Sequence, residues 1–247
     1  MRGWMTGLCW LLAGVMWIVS GDAGLAQDIS ISLGDNGSLA TRTIQIFVLV
    51  TLLSIVPGLA IMITCFPFLV TVLSILRQAI GLQQSPPNML IISLALFLTY
   101  FIMEPVFMEA WVKGAQPFSE GRMELEPAFT AAIEPFRIFM ANRIDPETFT
   151  HLATLREETA NVDLTGTSPL SLLVPSFLLS EVERAFQIGF LIFLPFLIID
   201  LVVAAILMSM GMMMVPPAIV SLPFKLAFFV VADGWTLISG ALVRSYF

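Results

Sequence analysis

Apolar residues run along this chain in long blocks separated by short polar breaks, and the blocks are too long to be single strands. Residues 43–76 hold no charged side chain, and Arg77 ends the run. A helix needs roughly 20 residues to cross a bilayer. The block therefore predicts one long kinked helix or two shorter ones, with Pro57-Gly58 and Pro67 as the places to bend. Residues 78–88, which include Ser85-Pro86-Pro87-Asn88, read as a polar turn. A second apolar helix follows over 89–103, ended by Glu104-Pro105. Apolar character returns over 185–199, pauses at Asp200, and continues to Val243, interrupted by Lys225 and Asp233. Four hydrophobic segments result, which predicts an all-α, membrane-associated protein built of kinked helical hairpins.

The intervening stretch has a different pattern. Residues 106–184 carry twelve carboxylates against six basic side chains, with Trp111, Phe118, Phe129, Phe136, Phe139 and Phe149 spread among them. Amphipathic helices are expected over 124–142 and 146–158, and a Thr/Gly/Ser linker over 161–168. Ser180, three residues before Glu183, fits a capping box opening the next helix. The division that follows is a signal peptide over 1–26, an exposed arm over 27–42, a first hydrophobic hairpin over 43–105, an acidic helical subdomain on the periplasmic side over 106–184, and a second hairpin over 185–247. The signal assignment rests on Arg2, the apolar run 8–19 and Gly24-Leu25-Ala26 before Gln27. It places the mature N-terminus outside a bacterial inner membrane, and Arg77 then falls in a cytoplasmic loop.

Composition agrees with the pattern and narrows the function. Mean hydropathy is +0.94, too high for a soluble surface. The formal charge of -7 argues against nucleic acid, whose phosphates need clustered Lys and Arg. Cleavage at residue 26 would remove Cys9 and leave Cys65 alone, so no internal disulfide is expected. A single histidine, His151, without Cys or His partners gives no zinc site. No nucleophile elbow, phosphate-binding glycine loop or metal box is present in the sequence. The expectation is a protein that is not an enzyme, with no catalytic residues, metal or cofactor.

Two groups of residues carry the candidate chemistry. Asp200, Lys225 and Asp233 are charges inside apolar segments, costly unless paired or facing water. They read either as intersegment pairs, Lys225 with Asp200 or Asp233, or as relay groups of an ion or proton path. Glu181, Glu183 and Arg184, at the entry to the third segment, are candidates for contact with a partner subunit. The second group is the run from Leu207 to Pro217, in which five of eleven residues are methionine. A connection between helices is ordinarily polar, whereas this one is apolar and closed by a proline pair. Methionine packs adaptably against changing surfaces, and apolar constrictions can gate by dewetting. The run reads as a soft seal, against the alternative that it is core filler.

These residues also carry a resemblance. Met208 to Pro217, then Ser221-Leu222-Pro223-Phe224-Lys225-Leu226 and Val231-Ala232-Asp233-Gly234-Trp235, closely resemble the C-terminal signature of the FliP family of type III export-gate proteins. Ala185-Phe186-Gln187-Ile188-Gly189-Phe190 and Arg77-Gln78-Ala79 with Pro86-Pro87-Asn88 match further segments. The resemblance implies a bacterial flagellum basal-body component in the inner membrane. It implies a homo-oligomer that assembles with FliQ and FliR into a helical channel for unfolded flagellar export substrates, next to FlhB and FlhA. It implies that the methionine loop is a pore gasket, with Met210, Met212, Met213 and Met214 as its residues here. It also implies that much of the apolar sequence lies in protein above the bilayer plane. A proton-coupled or ion-conducting transporter using Asp200 and Asp233, and a scaffold lining no pore, remain the competing readings.

Overall fold

The computed structural model describes residues 39–82, 86–212 and 214–247. The signal peptide, most of the N-terminal arm and Met213 therefore lie outside the described residues. Among those described, every regular element is helical: α1 Leu39–Met62, α2 Phe66–Ile80, α3 Asn88–Ala110, a π-helical turn Trp111–Ala115, α4 Gln116–Ser119, α5 Leu125–Arg143, α6 Pro146–Thr154, α7 Leu170–Ser209, α8 Pro217–Val231 and α9 Gly234–Arg244. The described residues fall into two units, the first part of α1 up to Leu53 in one and the residues from Ser54 onward in the other.

The long charge-free block is two helices rather than one. The break falls at 63–65, not at Pro57-Gly58, through which α1 continues. Thr64 Oγ1 donates to the Ile61 carbonyl at 2.7 Å and accepts from the Phe66 N–H, and Pro67 occupies the first turn of α2. Proline costs nothing there because that N–H has no intrahelical partner.

In the larger unit α2 is the central element. Phe68, Leu69, Val72, Leu73, Leu76 and Ala79 recur at helical spacing and are all essentially excluded from solvent. Each large apolar side chain so buried stabilises by about 2 kcal/mol or more. Helices α3, α7 and α8 pack around α2. A second cluster joins Met140 and Ile144 of the α5 end, Phe149 and Ala153 of α6, and Leu172, Leu173 and Phe177 of α7. Phe139 stands between the clusters, edge-on to Phe177 at 5.8 Å.

Two sequence expectations are corrected. Helix α3 does not stop at Glu104-Pro105 but runs on to Ala110 and into the π turn, with Pro105 inside it. The extra residue of the π turn sits where Gly114 lies against Ala128 and Ala132 of α5. Ser180 caps nothing: α7 begins at Leu170, and the Ser180 hydroxyl donates back to the Ser176 carbonyl at 2.8 Å. Asp200 lies within α7, one helix of 40 residues that also contains Pro175 and Pro195. The division at 184/185 thus falls inside a continuous helix. The 161–168 segment is tied down by Arg137, whose guanidinium donates to the carbonyls of Gly166 and Ser168 at 2.7 Å each.

Among the described residues, two helical stretches, Asn88–Ser119 and Leu170–Ser209, are long and apolar enough to cross a membrane, or up to four spans if each of two bent helix pairs counts as one. A single chain leaves much apolar surface open. Along α7, Leu179, Phe186, Phe190, Leu197 and Leu201 form an exposed stripe. Patches of that extent mark lipid-facing or protein-facing surface.

Candidate functional site

The methionine run closes the hairpin between α7 and α8. Helix α7 ends at Ser209, with Met210 as its cap residue and Gly211 in the left-handed region at φ +77°. The Gly211 N–H bonds the Met208 carbonyl at 3.1 Å, and the Met212 N–H reaches the Leu207 carbonyl at 3.0 Å. This paired pattern is the Schellman stop, which needs a residue tolerant of positive φ, hence glycine. Pro216 then caps α8 and Pro217 opens it. Between these two stops the methionines have no room to continue either helix. Met208 and Met210 are exposed, and Met214 is 98% exposed, so the tip presents apolar side chains outward; Met212 is also exposed, though less so. On one flank, a groove of about 490 Å³ runs between α7 and α8, lined by Val202, Val203, Ile206, Leu207, Met210 and Phe224 among others.

Below the tip, a polar cluster ties this hairpin to α2. Lys225 Nζ lies 2.6 Å from Asp200 Oδ2 and donates to the Ala79 carbonyl at 3.1 Å. Ser221 Oγ donates to Asp200 Oδ1 at 2.5 Å. The lysine is buried and the serine fully so, while the Asp200 side chain keeps 35% exposure. The ammonium thus balances a carboxylate and caps a carbonyl in the last turn of α2, where the helix dipole favours a cation. Asp233 is not brought into this cluster. It is exposed, occupies the left-handed region at φ 48°, ψ 48° between α8 and α9, and accepts from Thr236 Oγ1 at 3.1 Å.

A second cluster surrounds Glu181. That residue was expected at a subunit contact, and the structure places it fully inside the chain instead. Arg143 Nε donates to its Oε1 at 3.0 Å, Arg184 approaches the same oxygen at 3.8 Å, and the Tyr246 hydroxyl donates to Oε2. A carboxylate enclosed and paired inside the chain in this way presents no surface to a partner. Arg143 also donates to the Ser245 carbonyl at 2.8 Å and stacks over the Tyr246 ring at 4.0 Å. Burial and the Glu181 carboxylate both push the Tyr246 phenol up, so it stays protonated as the donor. Glu183 is exposed and Arg184 partly so, leaving both accessible from outside.

Sequence reasoning missed Arg143, Tyr246 and the role of Ser221. Arg143 carried a faint signal, as a cation in the last turn of an amphipathic helix. Tyr246 carried none, because its partners lie on three distant elements.

The model of the family described as the FliP family matches residues 49–242. Relatives named flagellar biosynthetic protein FliP include one from Caulobacter vibrioides, 46% identical over 96% of this chain and 89% of its own length. One from Agrobacterium fabrum is 47% identical over 85% of this chain and 86% of its own length. One from Bacillus subtilis is 44% identical over 83% of this chain and 93% of its own length. The methionine turn, the Asp200–Lys225 pair and Glu181 with Arg143 all lie within residues 49–242, Ser245 and Tyr246 just beyond them, and the chain belongs to the FliP family.

Proposed function

We propose that this chain is a non-enzymatic subunit of the flagellar type III export gate in the bacterial inner membrane, within the flagellar basal body. Copies of it assemble with FliQ and FliR into the channel that unfolded flagellar proteins enter, beside FlhB and FlhA. The observation that carries this reading is the tip of the α7–α8 hairpin, where Met210 and Met214 point outward from a turn stopped on both sides by Gly211 and Pro216. Repeated around an axis, such tips make a ring of polarizable, unbranched side chains, able to close against itself and to deform around varied polypeptides. The exposed apolar stripe on α7 supports burial against neighbouring subunits or lipid. Residues 106–184 form the part on the periplasmic side in this reading, and Glu183 and Arg184 are the remaining candidates for subunit contact.

A proton-coupled transporter is less well supported. Asp200 is neutralised by Lys225 and hydrogen-bonded by Ser221, and Asp233 lies apart from both at an exposed bend. The test of the gate is to replace Met210, Met212, Met213 and Met214 with alanine in the assembled complex. The expected result is intact assembly with raised leakage of ions and small solutes. Unchanged permeability together with unchanged export would overturn the gasket.

A further inference from the structure

We infer that α9 is a flap hinged at Asp233 and latched by Tyr246, and that releasing the latch lets α8 and α9 straighten into one helix. The inference stands independently of the export reading.

The hinge is the first observation. Helices α8 and α9 meet at 62°. Asp233 between them is the one non-glycine residue with positive φ among those described. Aspartate tolerates this region better than most residues, yet it is still disfavoured against the right-handed helix. The hydrogen bonds at the bend are also compromised, since the Asp233 N–H reaches the Val230 carbonyl three residues back at 3.1 Å. A right-handed Asp233 would restore the four-residue ladder and merge residues 217–244 into a helix about 40 Å long at ~1.5 Å per residue. Nothing in the local sequence forbids that: no proline lies between Phe224 and Phe247.

The latch is the second observation. Tyr246 follows α9 and inserts where α2, α5 and α7 meet. Its ring is edge-on to Phe68 at 5.6 Å and stacked on Phe139 at 6.1 Å. Arg143 covers it at 4.0 Å, and its hydroxyl bonds Glu181. The adjoining Ser245 carbonyl takes a further bond from Arg143. Within α9, Leu242 is buried and Ile238 and Val243 pack partly against the core, Gly234 and Trp235 pack on Phe229 at the hinge, and Trp235 and Leu237 keep much of their surface exposed. The bent state is therefore kept by side-chain packing along α9 and most specifically by the polar contacts just beyond its far end, and opposed by the backbone at its near end. A two-state element needs just such opposed terms.

Nitroxide labels at Leu237→Cys and Glu147→Cys, both exposed sites, report the distance from α9 to α6 in the full chain in lipid nanodiscs. The parent is expected to give a single distance. Asp233→Ala, which makes the left-handed region less tolerable, should raise the ratio of open to closed forms about fivefold, the factor that roughly 1 kcal/mol represents. Tyr246→Phe, which keeps the ring and removes the bond to Glu181, should add a longer distance of its own. Asp233→Gly, which removes the backbone penalty, should be no more open than the parent. Unchanged distributions in both Asp233→Ala and Tyr246→Phe would sink the proposal. So would opening in Asp233→Gly, because the hinge would then depend on the side chain and not on the backbone.

Discussion

Removing the Glu181 carboxylate should be among the most damaging single changes outside the apolar core. The side chain is fully buried, and Glu181→Ala would leave the Arg143 guanidinium, 14% exposed, without its ionic partner. Breaking one side of a buried pair costs about 3–5 kcal/mol, mainly because the surviving charge is stranded. Two features pull the figure towards the lower end. Arg143 keeps its bond to the Ser245 carbonyl and its place over the Tyr246 ring. Against that, Arg143 Nη2 already lacks a partner, so the site has no spare acceptor to offer. A loss of about 3 kcal/mol is the expectation. It can be measured by denaturant unfolding of the detergent-solubilised chain, followed by helix circular dichroism. The cycle with Arg143→Met separates the pair from the cavity. If the charge is the cause, the double variant should recover about 2 kcal/mol of the summed single losses. Simple additivity would refute the electrostatic account and leave only lost packing.

Two further outcomes follow from local geometry. A Cβ on Gly114 would fall 2.5 Å from the Ala128 carbonyl oxygen and 2.6 Å from Ala132 Cβ, whereas one on Gly189 would meet chiefly the end of the Ile75 side chain at 2.4 Å. Backbone cannot yield as a side-chain tip can, so Gly114→Ala should cost about 2–3 kcal/mol and Gly189→Ala markedly less, read as thermal unfolding shifts; equal losses would contradict the distinction. Asp145 caps α6 by accepting from the Thr148 N–H at 2.9 Å, and that bond holds its carboxyl below the usual range. A depressed folded value means the cap stabilises fully above the unfolded value of about 3.9 and is lost as pH falls through the folded one. Amide exchange at Thr148 should therefore be faster in Asp145→Ala at neutral pH, with the difference vanishing in strong acid; a pH-independent difference would refute the assignment.

The same chemistry explains which features were legible in the chain. The amphipathic helices expected over 124–142 and 146–158 are found as Leu125–Arg143 and Pro146–Thr154, because side-chain periodicity and Pro146 are local signals. Pro105 was misleading for a tertiary reason. A proline inside a helix frees a carbonyl and normally ends the helix in water. Here α5 packs alongside α3 and the π turn, and the helix continues. Ser180 misled similarly: the spacing to Glu183 matches a cap, but the α6–α7 packing lets the Ser180 hydroxyl accept from the Asp145 N–H at 3.0 Å.

Residue order along the chain was enough to set the helical class, the apolar segments, the methionine turn with its glycine and proline stops, and membership of the family. Each is a property of neighbouring residues, set by periodicity, backbone sterics and residue order. Which side chains pair was settled by the packing of distant helices. Of the two carboxylates open to Lys225, only Asp200 meets it, because α7 and α8 pack side by side while the bend at Asp233 turns away. Glu181 became an interior anchor and not a surface contact because Arg143 and Tyr246, 38 and 65 positions away, converge on it. A charge's environment depends on which distant elements desolvate and pair it, and linear order does not encode that distance.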